Sequence, residues 1–152
     1  PPFLDLHAAE WTEPNCYQIR PDARRFENWE SYVAGRIGLG VAVDYALALG
    51  LPEIAQRVST LAAQLRAALS ERPGIRVCDK GETLCGIVTF VKLDEDCETV
   101  QRRLRSSAIN ISVSSLSSTR YDMQARGLKQ ICRASVHYYN TEAEIARFCA
   151  AL

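Results

Sequence analysis

The sequence predicts an α+β fold, a two-layer α/β sandwich in which helices cover one face of a small sheet. Two observations carry that prediction. Segments of helical period and short apolar or alternating runs follow one another as helix, helix, strand, strand, helix, strand, strand, helix. The chain has 152 residues, 47% hydrophobic and 24% charged, enough to bury roughly 70% of its unfolded surface. The same arithmetic excludes other classes. Disorder requires fewer apolar residues and a larger net charge. Eighteen Lys+Arg balance eighteen Asp+Glu, so there is no basic excess for gripping nucleic-acid phosphates. No apolar run reaches bilayer-spanning length, and no secretion-type leader opens the chain.

Residues 1–30 hold four of the six prolines and both tryptophans without a sustained period, and read as an irregular, extended arm. A helix follows over 31–49. Ser31 is its N-cap, Val33, Ile37, Val41, Tyr45 and Leu49 form an i, i+4 stripe, and Gly50 stops it. Gly35, Gly38 and Gly40 each cost this helix about 1 kcal/mol against Ala, a cost tolerated where another backbone packs closely. Gly38-Leu39-Gly40 lacks the third glycine of a phosphate loop.

Pro52 suits the first turn of a second helix over 52–71, with Ile54, Val58, Leu61, Ala62, Leu65 and Leu69 inward and Gln56, Arg57, Gln64 and Arg66 toward water. Pro73-Gly74 ends it. A short strand over 75–77, the turn Asp79-Lys80-Gly81-Glu82 and the apolar strand 85–91 come next. The acidic run 94–96 caps a third helix through 107, and 109–113 reads as a strand. Residues 114–128 are hydroxyl-rich and lack a core period, which predicts a surface loop. Alternation over 130–136 predicts a strand, and Thr141 with Glu144 forms a capping box for a last helix.

The six cysteines show no C-x-x-C pair, and His7 and His137 do not stand at metal-ligand spacing from them. They read as reduced structural thiols, with Cys85 and Cys132 as small hydrophobes inside strands. Asn110-Ile111-Ser112 matches the glycosylation sequon but falls in a predicted strand. Arg25-Phe26-Glu27 reads as a local ion pair beside an aromatic.

Arg133 stands out. It lies in a strand between Cys132 and Ala134, where a guanidinium is costly to leave unpaired. Two readings stand: a bidentate grip on a ligand carboxylate, or a strand-edge pair with a structural acid. Ser135 and His137 share its face by alternation, but no positioned acid or oxyanion hole accompanies them.

Two long motifs carry a family resemblance. The run Arg25-Phe26-Glu27, followed by Ile37-Gly38-Leu39-Gly40-Val41-Ala42 and Tyr45-Ala46-Leu47-Ala48-Leu49-Gly50, resembles the class V aminotransferases, fold-type I pyridoxal-phosphate enzymes. The closing run from Cys132 through Ile145 is similar to the family's R-x-S-x-x-x-Y-N-T-x-x-E-(I/V) pattern. The look is that of the isopenicillin N epimerase-like and cysteine desulfurase-like branch. The resemblance implies a mostly antiparallel small C-terminal domain over 31–152, with 1–30 as the tail of a missing large domain.

It also implies roles. Arg133 falls on the arginine that grips the α-carboxylate of an amino-acid substrate. Glu30, in Asn28-Trp29-Glu30, falls where relatives place a Gly-Thr pair that reaches the cofactor phosphate of the partner subunit, and so puts a carboxylate at that cofactor-facing position. Residues 114–119 align with the segment that carries the nucleophilic cysteine of cysteine desulfurases. Here they are Ser, Leu and Thr only, which turns the expectation toward epimerase, lyase or aminotransferase chemistry. None of Lys80, Lys92 and Lys129 has the context of the Schiff-base lysine. The expectation is therefore part of a cytoplasmic homodimer that binds pyridoxal phosphate and an amino acid, inactive as this fragment, with no covalently held cofactor, no metal, no nucleic acid and no membrane. The alternative is a stand-alone small-ligand or RNA-binding module, for which the strongest strand offers only Phe90 as a stacking aromatic.

Overall fold

A computed structural model describes residues 8–27 and 30–152. His7, Asn28 and Trp29, named above, lie outside the described residues. Two compact units emerge, one running to Ala48 and one from Leu49 to Leu152.

In the first unit, β1 (Ala9–Glu13) and β2 (Cys16–Ile19) form an antiparallel hairpin that sets Trp11 opposite Tyr17. The expected extended arm is thus partly a hairpin. Its signal was local: aromatic and β-branched residues flank the turn residues Pro14-Asn15, too few for a sustained period. A 3-10 turn over Ala23–Phe26 follows, its start capped by the Asp22 carboxylate, which accepts the Arg24 N–H at 3.0 Å. The Arg25 guanidinium sits 4.7 Å from the centroid of the Phe26 ring, and no Arg25–Glu27 ion pair forms among the described residues. Helix α1 (Val33–Leu49) forms where expected, but none of its residues is buried.

The second unit holds α2 (Leu51–Ser70), β3 (Ile75–Val77), β4 (Ile87–Lys92), α3 (Cys97–Ser106), β5 (Ser112–Ser115), α4 (Arg120–Ala125), β6 (Gln130–Ser135) and α5 (Glu142–Ala150). Its sheet is antiparallel throughout, ordered β3-β4-β6-β5. The α+β expectation holds. Pairing sets Val88 opposite Ala134 and Phe90 opposite Cys132, and the pleat turns all four to one face. There they meet Leu61, Leu65 and Leu69 of α2, Val100 and Leu104 of α3, and Phe148 of α5. Phe90 and Phe148 pack edge to face, centroids 6.0 Å apart.

One end of the second sheet face is covered within this unit. Met123 of α4 packs with Leu128, Ile131 and Cys78 in a smaller cluster. The expected loop over 114–128 therefore contains the end of β5 and a whole helix. Six residues with one buried side chain, Met123, are too few to show a helical period. The strand expected at 109–113 is displaced as well. Ile109 and Ile111 pack on the core from outside the ladder, and pairing with β6 starts at Ser112 opposite Arg133. Cys85 likewise falls outside β4 and is exposed, whereas Cys132 is buried; all six cysteines are free.

The displacement of β5 begins at the end of α3. The Ile109 N–H returns to the Leu104 carbonyl at 3.0 Å while Ala108 takes φ 55°, a left-handed closure usually given to glycine. Ala108→Gly is expected to raise stability by about 1 kcal/mol, read as a higher urea midpoint at unchanged slope. An unchanged or lower midpoint would show that Ala108 is unstrained.

Arg66 departs from its expected solvent-facing role. β3 is short, so the first half of β4 lacks a strand partner on that side. Arg66 reaches from α2 and donates to the carbonyls of Cys85 at 2.6 Å and Ile87 at 3.0 Å. Its Nε meets the Asp79 carboxylate at 2.6 Å, and that carboxylate accepts the Thr89 N–H at 2.7 Å and the Thr89 hydroxyl. Two side chains here take the place of a missing strand partner.

Candidate functional site

The uncovered part of the second sheet face is built around β6. Arg133 projects there with Thr89 of β4 and Ser112 of β5 as its cross-strand neighbours, since residues directly opposite share a face. Nη1 lies 3.5 Å from the Ser114 hydroxyl, a long contact. Among the described residues no carboxylate stands within ion-pair distance of Arg133, which is half-buried. The structural acid of the second reading is not found among the described residues. The strand thus fixes where the side chain starts, one hydroxyl lies beside the guanidinium, and most of its donors have no match among the described residues. Such a fork is suited to a carboxylate from a ligand.

Beside it, Ser114 and Ser115 end β5, the Ser115 and Ser117 hydroxyls lie 2.9 Å apart, and the Ser118 N–H closes a turn on the Ser115 carbonyl. The segment that the resemblance sets at the desulfurase cysteine is a run of hydroxyls leading into α4. Near Arg133 in sequence, Cys132 is no substitute. Its thiol is buried, burial pushes its pKa well above the ordinary value, and it points to the helix side. Burial also raises Cys97 and Cys149.

Ser135 and His137 do not form a catalytic pair. Ser135 ends β6 exposed, the His137 N–H donates to Asn140 Oδ1 at 2.8 Å, and the imidazole stacks on Tyr139 at 4.4 Å between centroids. This turn is tied to α2. Arg57 donates to the Asn140 carbonyl at 2.9 Å and holds Glu142 at 2.5 Å, a partnership that the sequence reading missed by assigning Arg57 to water. Thr141 and Glu144 complete the expected capping box.

The Arg57 guanidinium pulls the Glu142 carboxyl down to about 2, with the α5 start contributing a backbone hydrogen bond. A lowered folded value means the pair's stabilisation is present above the ordinary carboxylate range. It is lost as pH falls from about 4.5 toward about 2. In urea titrations, Glu142→Gln is expected to lower the midpoint at pH 6, with parent and variant converging as pH drops through that window. A gap that persists unchanged at pH 2 would remove the pair as its cause. Salt should shrink the gap, because both side chains are partly in water.

Glu30 is exposed just ahead of α1. Lys92 is held by Asp94 at 2.8 Å and Glu95 at 3.3 Å, while Lys80 and Lys129 stand exposed. Among the described residues no group of three or more His, Cys, Asp and Glu could hold a metal ion.

Comparison with known proteins gives three kinds of match. The family model described as Aminotransferase class-V covers residues 7–148. A probable cysteine desulfurase of Xylella fastidiosa is 32% identical over 128 residues, 84% of this chain and 30% of that protein. The chain thus spans under a third of that relative's length. Among solved structures, cysteine desulfurase CsdA of Escherichia coli superposes with a TM-score of 0.82 at 19% identity, over 99% of this chain and 37% of that one. A C-DES mutant with glycine covalently linked to its PLP cofactor superposes with a TM-score of 0.70, also at 19% identity and over the same shares. At these identities the superpositions establish the fold.

Proposed function

Because this chain belongs to the aminotransferase class-V family, we propose that it is the small-domain part of a pyridoxal-phosphate enzyme acting on an amino acid, and that Arg133 holds the substrate α-carboxylate. The observation that carries this reading is half-buried Arg133, set in the middle of β6 with no carboxylate among the described residues within ion-pair distance. A bidentate grip would set the plane of the carboxylate. The Ser114 hydroxyl beside the guanidinium can then accept one of its remaining donors. Holding the carboxylate in one orientation also holds the α-carbon in one place, which is the contribution this domain makes to rate.

When bound, pyridoxal phosphate supplies an electron sink for bond cleavage at the α-carbon. At the position where the resemblance sets the phosphate contact, no cation stands. Glu30 offers like charge, and Lys92 is already held by two carboxylates. In this reading the groups that hold the cofactor come from a large domain and from a second subunit of a cytoplasmic homodimer. The fragment alone is inactive.

Relatives carry the name cysteine desulfurase, but an ordered run of hydroxyls stands where the resemblance expects their thiol, and the thiol beside Arg133 is buried. That supports amino-acid chemistry without a persulfide on this loop: transamination, epimerisation or elimination. The test is the polypeptide at the length of its relatives, loaded with cofactor and offered a panel of amino acids. Exchange of the α-proton, with no protein persulfide from cysteine, is the expected result. A persulfide on residues of this chain after cysteine treatment would overturn the reading of the loop.

A further inference from the structure

A hollow opens on the helix side of the sheet, where β5 and β6 part. Pairing between the two strands runs from Ser115 opposite Gln130 to Ser112 opposite Arg133 and stops there. Ala108, in its left-handed conformation, turns the chain so that Ile109, Asn110 and Ile111 stand off the ladder. Between this segment, the end of β6 and α5 lies a space of about 190 Å³. Leu65, Ala134 and Phe148 form its floor, and Ile109, Ile111 and Ile145 its walls. All of these residues belong to the second unit. Ala134 points to the helix side and Arg133 to the other, so the hollow is separate from the site read for the amino acid.

Three donors line this apolar space. The Val136 N–H donates to the Gly86 carbonyl at 2.8 Å, so the amide of Ser135, one residue earlier, points toward the β5 side. Its counterpart there would be Asn110, yet no backbone hydrogen bond joins the two. The Asn110 side chain is exposed at the mouth. Arg147 is exposed there too. It donates to the Ser107 carbonyl and has no carboxylate within ion-pair distance among the described residues. The acid among the lining residues, Glu144, is turned to the start of its own helix, where the Thr141 N–H donates to it at 2.8 Å and the Asn140 amide at 3.3 Å.

An apolar cavity of about 150 Å³ takes benzene, so this one suits a body of roughly six to eight carbons. Apolar walls with a few placed polar groups make a small-molecule site, and here those groups offer N–H donors and a positive charge. We infer that the hollow binds a small carboxylic acid with an apolar body, the body held between α5 and β6 and the carboxylate at Arg147. This goes beyond the preceding reading and does not depend on it.

The test uses octanoate as the probe, with octanol and acetate as its two halves. Added to the 152-residue chain, octanoate should give saturable shifts in the methyl resonances of Ile109, Ile111 and Ile145. Octanol should bind about tenfold more weakly, since it lacks the charge-assisted hydrogen bonds, and acetate should leave these methyls unshifted. Arg147→Gln should bring octanoate to the level of octanol while leaving octanol unchanged, and Arg147→Lys should recover part of the difference. Equal affinities for octanoate and octanol overturn the proposal, as does an Arg147→Gln variant that loses octanol as well. So do shifts centred on Arg133 and Thr89 instead of the isoleucines. The same titration on the polypeptide at the length of its relatives should give the same shifts. If only the 152-residue chain binds, the hollow is a contact surface within the longer polypeptide, and the proposal fails.

Discussion

Arg133→Ala, made in the polypeptide at the length of its relatives, should weaken binding of the amino-acid substrate by about 2 kcal/mol or more, roughly thirtyfold. The side chain contributes little to holding the fold. Among the described residues its side chain's only hydrogen bond is the 3.5 Å contact with Ser114, so the variant should melt close to the parent. Arg133→Lys separates charge from shape. Lysine keeps the positive charge but loses the planar fork, and should recover only part of the affinity. The discriminating ligand is the corresponding amine without its carboxylate, which should bind parent and Arg133→Ala alike. If the amino acid loses no affinity, or the amine loses as much, Arg133 does not hold the carboxylate.

Asp79→Ala should destabilise the second unit by about 3 kcal/mol, within the range for breaking a buried ion pair by removing one partner. Asp79 and Arg66 are 9% and 13% exposed at the side chain, so the deletion leaves a cation with little water and an orphaned Thr89 N–H. Urea denaturation of the 152-residue chain measures it, as a lower midpoint. Asp79→Asn keeps an acceptor for Thr89 and should cost less. Combining Asp79→Ala with Arg66→Met removes both charges at once. The double variant should then be more stable than the sum of the two single losses implies. Simple additivity would mean that the two side chains act independently, contrary to their shared role along β4.

Much of this fold was legible because its signals are local. The α5 capping box needs only Thr141 and Glu144 three residues apart, and it forms as read. The α2 stripe and the 75–77 strand depend on periods contained within a few residues. Arg133 could be singled out because a charge inside an apolar strand is conspicuous in any fold. The elements that were misread depend on partners distant in the chain. Arg66 and Arg57 look like solvent-facing residues until Asp79 and Glu142, 13 and 85 positions away, are brought to them. The β5 register is set by β6, which draws the hydroxyl-bearing residues into the ladder and leaves Ile109 and Ile111 to the core.

For the site the division is sharper. Residue order was sufficient to place Arg133 on a strand and to show that the loop before α4 holds hydroxyls instead of a thiol. It could not tell a guanidinium neutralised by its own chain from one left open to a ligand, because that depends on which groups the sheet brings alongside. Nor could it show that none of the α1 residues is buried. Helical periodicity states which side chains seek burial, but only packing in three dimensions shows whether the chain contains the surface that buries them.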